Sequence, residues 1–185
     1  MLEALKGFVM KKILVAVDGS THADHALRLS ADLAEKYQAE LLIVHVVDDK
    51  PLANEERHLA DVEFGERMKS LGIKETEEAL AGYGAAGLGG YLRSQSDRNS
   101  AIKQILGEEL LLRAKDDVGE LDGAKSQTIL LFGDPAEQIL QAAESNDANL
   151  IVIGSRGLSD LKGLWLGSVS HKVSNLSSIN VVTVR

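Results

Sequence analysis

Five short apolar runs punctuate the chain, and between them apolar positions recur at helical spacing. The runs are KILVAV (Lys12–Val17), LLIVHVV (Leu41–Val47), TILLF (Thr128–Phe132), LIVI (Leu150–Ile153) and VVTV (Val181–Val184). Each is continuous rather than alternating, as expected of strands covered on both faces of a parallel sheet. Between the first two, Ala26, Leu27, Ser30, Leu33, Ala34 and Tyr37 line one side of a predicted helix, with Arg28, Asp32, Glu35 and Lys36 on the other. The first unit therefore reads as βαβ.

The same alternation returns near the C-terminus. Asp134 is a predicted N-cap, Pro135 occupies the first helical position, and Glu137 stands three residues after the cap, which completes a capping-box pattern. Ile139, Leu140 and Ala143 supply the buried face of that helix. A last helix, starting near Ser168, uses Val169, Val173 and Leu176 before VVTV begins. Strand and helix alternate to the end, so the fold class is α/β.

Residues 48–127 are too many for one crossover helix. An insertion is expected there: a helix over 54–81, a glycine-rich bend at Gly82–Tyr91, and a second helix over 98–114. The bend contains Gly82-Tyr-Gly84-Ala-Ala-Gly87, which has the letters of a dinucleotide fingerprint. That motif needs a strand before it and a helix opening at it. A predicted helix precedes this one, so it reads as a decoy, a hinge, oligomer contact or loop rather than a nucleotide site.

Composition narrows the function classes. With 185 residues, 44% hydrophobic and 26% charged, the chain suits one compact domain spanning residues 1–185. A net charge of −8 argues against a nucleic-acid surface, which needs clustered Lys and Arg. The absence of cysteine excludes disulfides, thiolate chemistry and cysteine–zinc sites. No apolar run has the length of a membrane span. The opening MLEALKGFVM lacks the basic n-region of a signal peptide, so the expected location is cytoplasmic.

Ligands of open parallel sheets bind beyond the carboxyl ends of the strands, near the point where strand order reverses. Three stretches converge there. In VDGS, Asp18 ends the first strand and Ser20 or Thr21 can cap the next helix. Its carboxylate could accept from ribose hydroxyls or an adenine amino group, or serve only the local turn. In HVVD (His45–Asp48), backbone groups at the end of the second strand could meet an adenine edge. His45 itself reads as a packed strand residue, because no set of His, Asp and nucleophile accompanies it.

The third stretch is GSRGLSDLKGLWLGSV (Gly154–Val169). Gly154 and Gly157 follow the fourth strand, and Gly167-Ser168 opens the last helix. Glycine permits positive φ and lets ligand atoms approach the backbone. Successive amides can form an anion nest beside a helix N-terminus. Such a terminus is worth about 0.3–2 kcal/mol to an anion, so several amides and the Ser168 hydroxyl would be needed together. Leu161, Leu164, Trp165 and Leu166 between the glycines should pack, with Gly163 serving a turn.

Gly154-x-x-Gly157, nine residues, then Gly167-Ser168 resembles the ATP-binding signature of the universal stress protein family. VDGS and HVVD resemble the same family's other landmarks, and the likeness covers about residues 10–48 and 128–185. It implies a Rossmann-like, doubly wound five-stranded sheet in the order 3-2-1-4-5. It also implies that Asp18 contacts ribose, that Val17 and Val46 flank or bond adenine, and that Gly154, Gly157, Gly167, Ser168 and Val169 hold ribose and phosphates. Arg156, between two such positions, either adds a cation or is solvated.

The same resemblance implies a homodimer through the last strand, Val181–Val184, whose β-branched residues suit edge pairing. Ile179-Asn180 stands where members often have Cys-Pro. Met10-Lys11-Lys12 resembles a usual family start, which leaves residues 1–9 as an extension. The expected function is an ATP-binding (or AMP- or ADP-binding) regulatory protein of the stress response, with Mg²⁺ as a companion ion, acting as a dimeric nucleotide-dependent switch without catalytic residues. Two alternatives stand beside it. One is an interaction module that uses residues 49–127 without nucleotide. The other is a slow ATP hydrolase or related enzyme in which Asp18, Asp134 and Asp160 help bind Mg²⁺, although neither a Walker GxxxxGK[ST] nor an SGGxDS loop is present.

Overall fold

The apolar runs form five strands, β1 (Lys12–Ala16), β2 (Glu40–Val47), β3 (Ser126–Phe132), β4 (Leu150–Gly154) and β5 (Asn180–Val184). The computed structural model describes residues 10–50, 62, 87–158 and 166–185. Its helices are α1 (Thr21–Tyr37), α2 (Gly87–Val118), α3 (Pro135–Ser145) and α4 (Ser168–Leu176). The strands lie in the order β3-β2-β1-β4-β5, and every neighbouring pair is parallel. This is the expected α/β architecture and strand order.

Alternation along each central strand divides the core into two layers. Ile13, Val15, Leu41, Ile43, Leu150 and Val152 point to one face, where they meet Ala23, Ala26, Leu27 and Ala34 of α1 with Leu111 and Ala114 of α2. Leu14, Ala16, Leu42, Val44, Ile151 and Ile153 point to the other, against Ala136, Ile139, Ala142 and Ala143 of α3 and Val173 of α4. Burial on both faces explains the continuous apolar runs of β1, β2 and β4. Each fully buried Leu, Ile or Val contributes about 1.5–3 kcal/mol. β3 and β5 are the sheet's edges and are only partly covered: Phe132 is 53% exposed and Val182 is 37% exposed.

Tyr37 and Leu176, both expected inside, are exposed. Each is the last residue of its helix. After Tyr37 the chain reverses through Gln38 in the left-handed conformation, and Ala39 takes the buried place. In α4 the buried face centres on Ser170 and Val173. The α3 start is the expected one, with Asp134 accepting from the Glu137 amide and Pro135 in the first turn. The capping box is only half closed, however, because the Glu137 carboxylate turns to Lys172 at 3.3 Å.

Contacts divide the chain into two compact units, Met1–Asp48 with Leu110–Arg185, and Asp49–Glu109. Within the second, Ile102 and Ile105 are buried. The predicted bend at Gly82–Tyr91 is corrected where it can be seen: α2 already includes Gly87, Gly89 and Gly90. Glycine costs about 1 kcal/mol in a helix interior, a penalty that propagation from the long Leu-, Glu- and Lys-containing stretch behind it can outweigh. The rest of that bend, most of the predicted helix over 54–81, and residues 1–9 lie outside the described residues.

Strand order reverses between β1 and β4. β1 leads into α1 on one face, whereas β4 leads to α4 on the other. The two connections part above the strand ends, where such sheets usually hold a ligand in a crevice.

Candidate functional site

Asp18 follows β1 and folds the chain back on itself. Its Oδ1 accepts from the Ser20 amide at 3.0 Å, an Asx turn, and Gly19 supplies the φ of +80° that the turn requires. Ser20 then caps α1: its Oγ accepts from the Ala23 amide at 3.2 Å. The same hydroxyl donates to the Arg156 carbonyl at 3.3 Å. One side chain thus ties the start of α1 to the loop after β4, a link invisible in the sequence because 136 residues separate the partners.

That link brings the VDGS and GSRG stretches together. A Cβ on Gly157 would lie 2.6 Å from Asp18 Oδ2, so the glycine leaves room for the carboxylate. Gly154 answers a different demand. Its missing Cβ would fall 2.8 Å from the Ala23 nitrogen and 2.8 Å from the His22 carbonyl carbon, so the first turn of α1 rests directly on the end of β4. Neither glycine has a positive φ. Of the two properties that glycine offers, positive φ and close approach, these positions use the second.

The far end of the loop is anchored through Ser155. Its carbonyl accepts from the Gly167 amide at 2.7 Å and from Ser170 Oγ at 2.8 Å. Its own amide donates to the Val184 carbonyl of β5 at 2.6 Å. Ser170 Oγ also lies 3.0 Å from the Gly167 carbonyl. Gly167 is the N-cap of α4, with φ −74°, and no side chain caps that helix. The first-turn amides of α4 therefore carry the partial positive charge of an uncapped N-terminus. Ser168 is exposed there and Val169 half-buried, the latter packed against the α3 layer.

The remaining predicted positions divide. Val17 is buried, with its amide donating to the Val44 carbonyl at 2.9 Å and its carbonyl accepting from His45 Nδ1 at 2.8 Å. Val46 packs on the opposite layer. Arg156 is half-buried, and its Nε and the Oγ of the buried Ser155 have no hydrogen-bond partner. Asp160, Leu161, Gly163, Leu164 and Trp165 lie outside the described residues.

Asp134 serves α3. The Glu137 amide first, and then the Lys172 ammonium at 3.0 Å, hold its carboxyl below the ordinary carboxylate range. Asp134 in turn raises Lys172 above the ordinary lysine range. Among the described residues, no group of three or more His, Asp or Glu side chains is arranged for a metal ion, and none of the described helices is long and apolar enough to cross a membrane.

Sequence reasoning missed Ser155 and Ser170 as the loop's anchors. Ser170 stands three residues after Gly167, and its hydroxyl reaches the Gly167 carbonyl at 3.0 Å.

A sequence model of the universal stress protein family matches residues 10–185. Universal stress protein YxiE of Bacillus subtilis is 35% identical over 177 aligned residues, which cover 96% of this chain and 100% of that protein. The solved structure of universal stress protein UspA from Lactobacillus plantarum is similar with a TM-score of 0.60 at 21% identity, covering 95% of this chain and 98% of that one. The universal stress protein from Archaeoglobus fulgidus in complex with dAMP is similar with a TM-score of 0.56 at 20% identity, covering 96% and 99%. At those identities the two structures carry the fold.

Proposed function

The chain belongs to the universal stress protein family, and from that premise we propose that it is an adenine-nucleotide-binding regulatory protein of the stress response. The observation that carries the reading is the close approach of the Asp18 carboxylate to Gly157 beyond the ends of β1 and β4. It sets a carboxylate and a loop backbone side by side, the pair of chemistries that a ribose and its phosphate need. The dAMP complex of the Archaeoglobus fulgidus protein supports the choice of ligand.

In this reading Asp18 accepts from the ribose hydroxyls through Oδ2, since Oδ1 is occupied by the Ser20 amide. Val17 and Val46 border the adenine. The backbone at Gly157, Gly167, Ser168 and Val169, with the exposed Ser168 hydroxyl, holds the phosphates, and the Arg156 guanidinium adds a cation. Gly154 contributes by letting α1 approach β4. Amide donors suit a chain of net charge −8, because they attract an anion without a basic surface.

The nucleotide is ATP in its fullest form, with Mg²⁺ at the phosphates, and the working species is a homodimer paired along β5. Ser155 supports a switch of this kind. One residue bonds both Gly167, at the phosphate end of the loop, and Val184, on the strand offered for pairing. A ligand that repositions the loop therefore acts on the dimer edge through one shared residue.

The test is thermal unfolding with AMP, ADP and ATP, with and without Mg²⁺. A ligand at one hundred times its dissociation constant stabilises by about 2.7 kcal/mol, about 5–10 °C for a chain of this size. If no adenine nucleotide moves the midpoint, the reading fails.

A further inference from the structure

His45 lies on β2 with its side chain half-buried, and its Nδ1 sits 2.8 Å from the Val17 carbonyl oxygen. A carbonyl only accepts, so the ring nitrogen must carry the hydrogen. That requirement fixes the Nδ1–H tautomer whenever the ring is neutral. The bond spans two adjacent strand ends just beyond the last paired residues of β1 and β2, Ala16 and Val44, where Val17 also donates its amide to the Val44 carbonyl at 2.9 Å.

The direction of that carbonyl constrains the next residue. Val17 C=O belongs to the peptide unit whose N–H is that of Asp18. A trans peptide is planar, with its C=O and N–H pointing in opposite directions. With the carbonyl held toward β2, the Asp18 N–H points away from β2. β1 lies between β2 and β4, so that direction is the β4 side, where the Gly154–Gly157 loop leaves the sheet. Rotation of this one peptide unit would displace both the Asp18 backbone and the start of its Asx turn.

We propose that His45 is a positioning residue of the nucleotide site: its Nδ1–H locks the Val17–Asp18 peptide and so presents Asp18 to the crevice. The proposal rests on the nucleotide-binding reading and deepens it. His45 itself makes no contact with the ligand and takes no part in chemistry. The role asks for an N–H donor at one place on the side chain, which separates it from simple space filling.

The experiment is calorimetric titration of AMP into the wild-type full chain and into His45→Ala, His45→Asn and His45→Gln. Asparagine places an N–H near the Nδ1 position, whereas glutamine places one near Nε2. Losing one net hydrogen bond predicts about three- to ten-fold weaker binding for His45→Ala. His45→Asn should recover most of the affinity, and His45→Gln should not. Wild-type protein that binds no AMP would sink the function itself. Wild-type protein that binds AMP while all three variants bind equally well would sink only the role of His45. Should the variants fail to fold, the ¹⁵N shifts of His45 in the wild-type chain decide: an Nδ1–H tautomer supports the lock, and an Nε2–H tautomer overturns it.

Discussion

The Asp18 carboxylate occupies space that any side chain at residue 157 would need: a Cβ on Gly157 would lie 2.6 Å from Oδ2. The two residues are far apart in sequence, and they meet beyond the ends of β1 and β4. Gly157→Ala should therefore act on the ligand more than on the fold. The backbone there is outside the left-handed region, so alanine is tolerated conformationally, but the carboxylate must swing away. AMP affinity is predicted to fall about ten-fold, equivalent to about 1.4 kcal/mol, with a melting midpoint close to wild type. Titration and unfolding on the same sample check both halves.

Gly154→Ala should show the reverse. The atoms its Cβ would meet at 2.8 Å belong to the α1 backbone, which cannot rotate aside as a side chain can. Overpacking of this kind costs about 1–3 kcal/mol. Urea unfolding should register the loss of stability, and protein that still folds should keep most of its AMP affinity.

Ser20 has two separable jobs, accepting from the Ala23 amide and donating to the Arg156 carbonyl. Ser20→Ala loses both, with a predicted stability loss of about 1 kcal/mol from the missing cap. Ser20→Asp keeps an acceptor for the helix but has no hydrogen to give when ionised. It should recover only part of the lost stability, because at this buried position the carboxylate faces the Arg156 carbonyl, and it should leave AMP binding weakened. Restored binding in Ser20→Asp would show that the tie to Arg156 has no bearing on the site.

The sheet and its order were legible in these residues because strands buried on both faces leave continuous apolar runs, and LIVI or KILVAV admits few other readings. The position of the candidate site was legible too, since a parallel sheet fixes where strand ends lie. The reasons for individual glycines were not. Gly154 and Gly157 look alike in sequence, yet one accommodates a helix backbone and the other a carboxylate, a distinction that exists only once α1 and the loop are packed. Tyr37 and Leu176 fit the helical period but fall at helix ends, where the chain turns away before the period can bury them. Ser155 gave no signal, because its function lies in its main chain.

The Asp134–Lys172 pair sets a pH signature at the α3 start. The Glu137 amide and then Lys172 lower the native carboxyl, so its stabilisation is present above the unfolded carboxyl's ordinary value and is lost as pH falls through the lower native one. Asp134 raises native Lys172, so that contribution is full below the ordinary lysine value and is lost as pH rises through the higher native one. Lys172→Met should thus differ little from wild type at either extreme and most near neutrality. The difference should shrink in 1 M salt, where the screening length is about 3 Å. Unfolding midpoints across pH at two salt concentrations check this.

The central claim is that the crevice between β1 and β4 holds an adenine nucleotide, and amide NMR of the ¹⁵N-labelled chain titrated with AMP tests it most directly. A nucleotide in that crevice should give saturable shifts concentrated at Asp18, Gly157, Gly167, Ser168 and Val169, with Asp134 and Lys172 unmoved. Shifts confined to residues 49–109, or none at any AMP concentration, would contradict it.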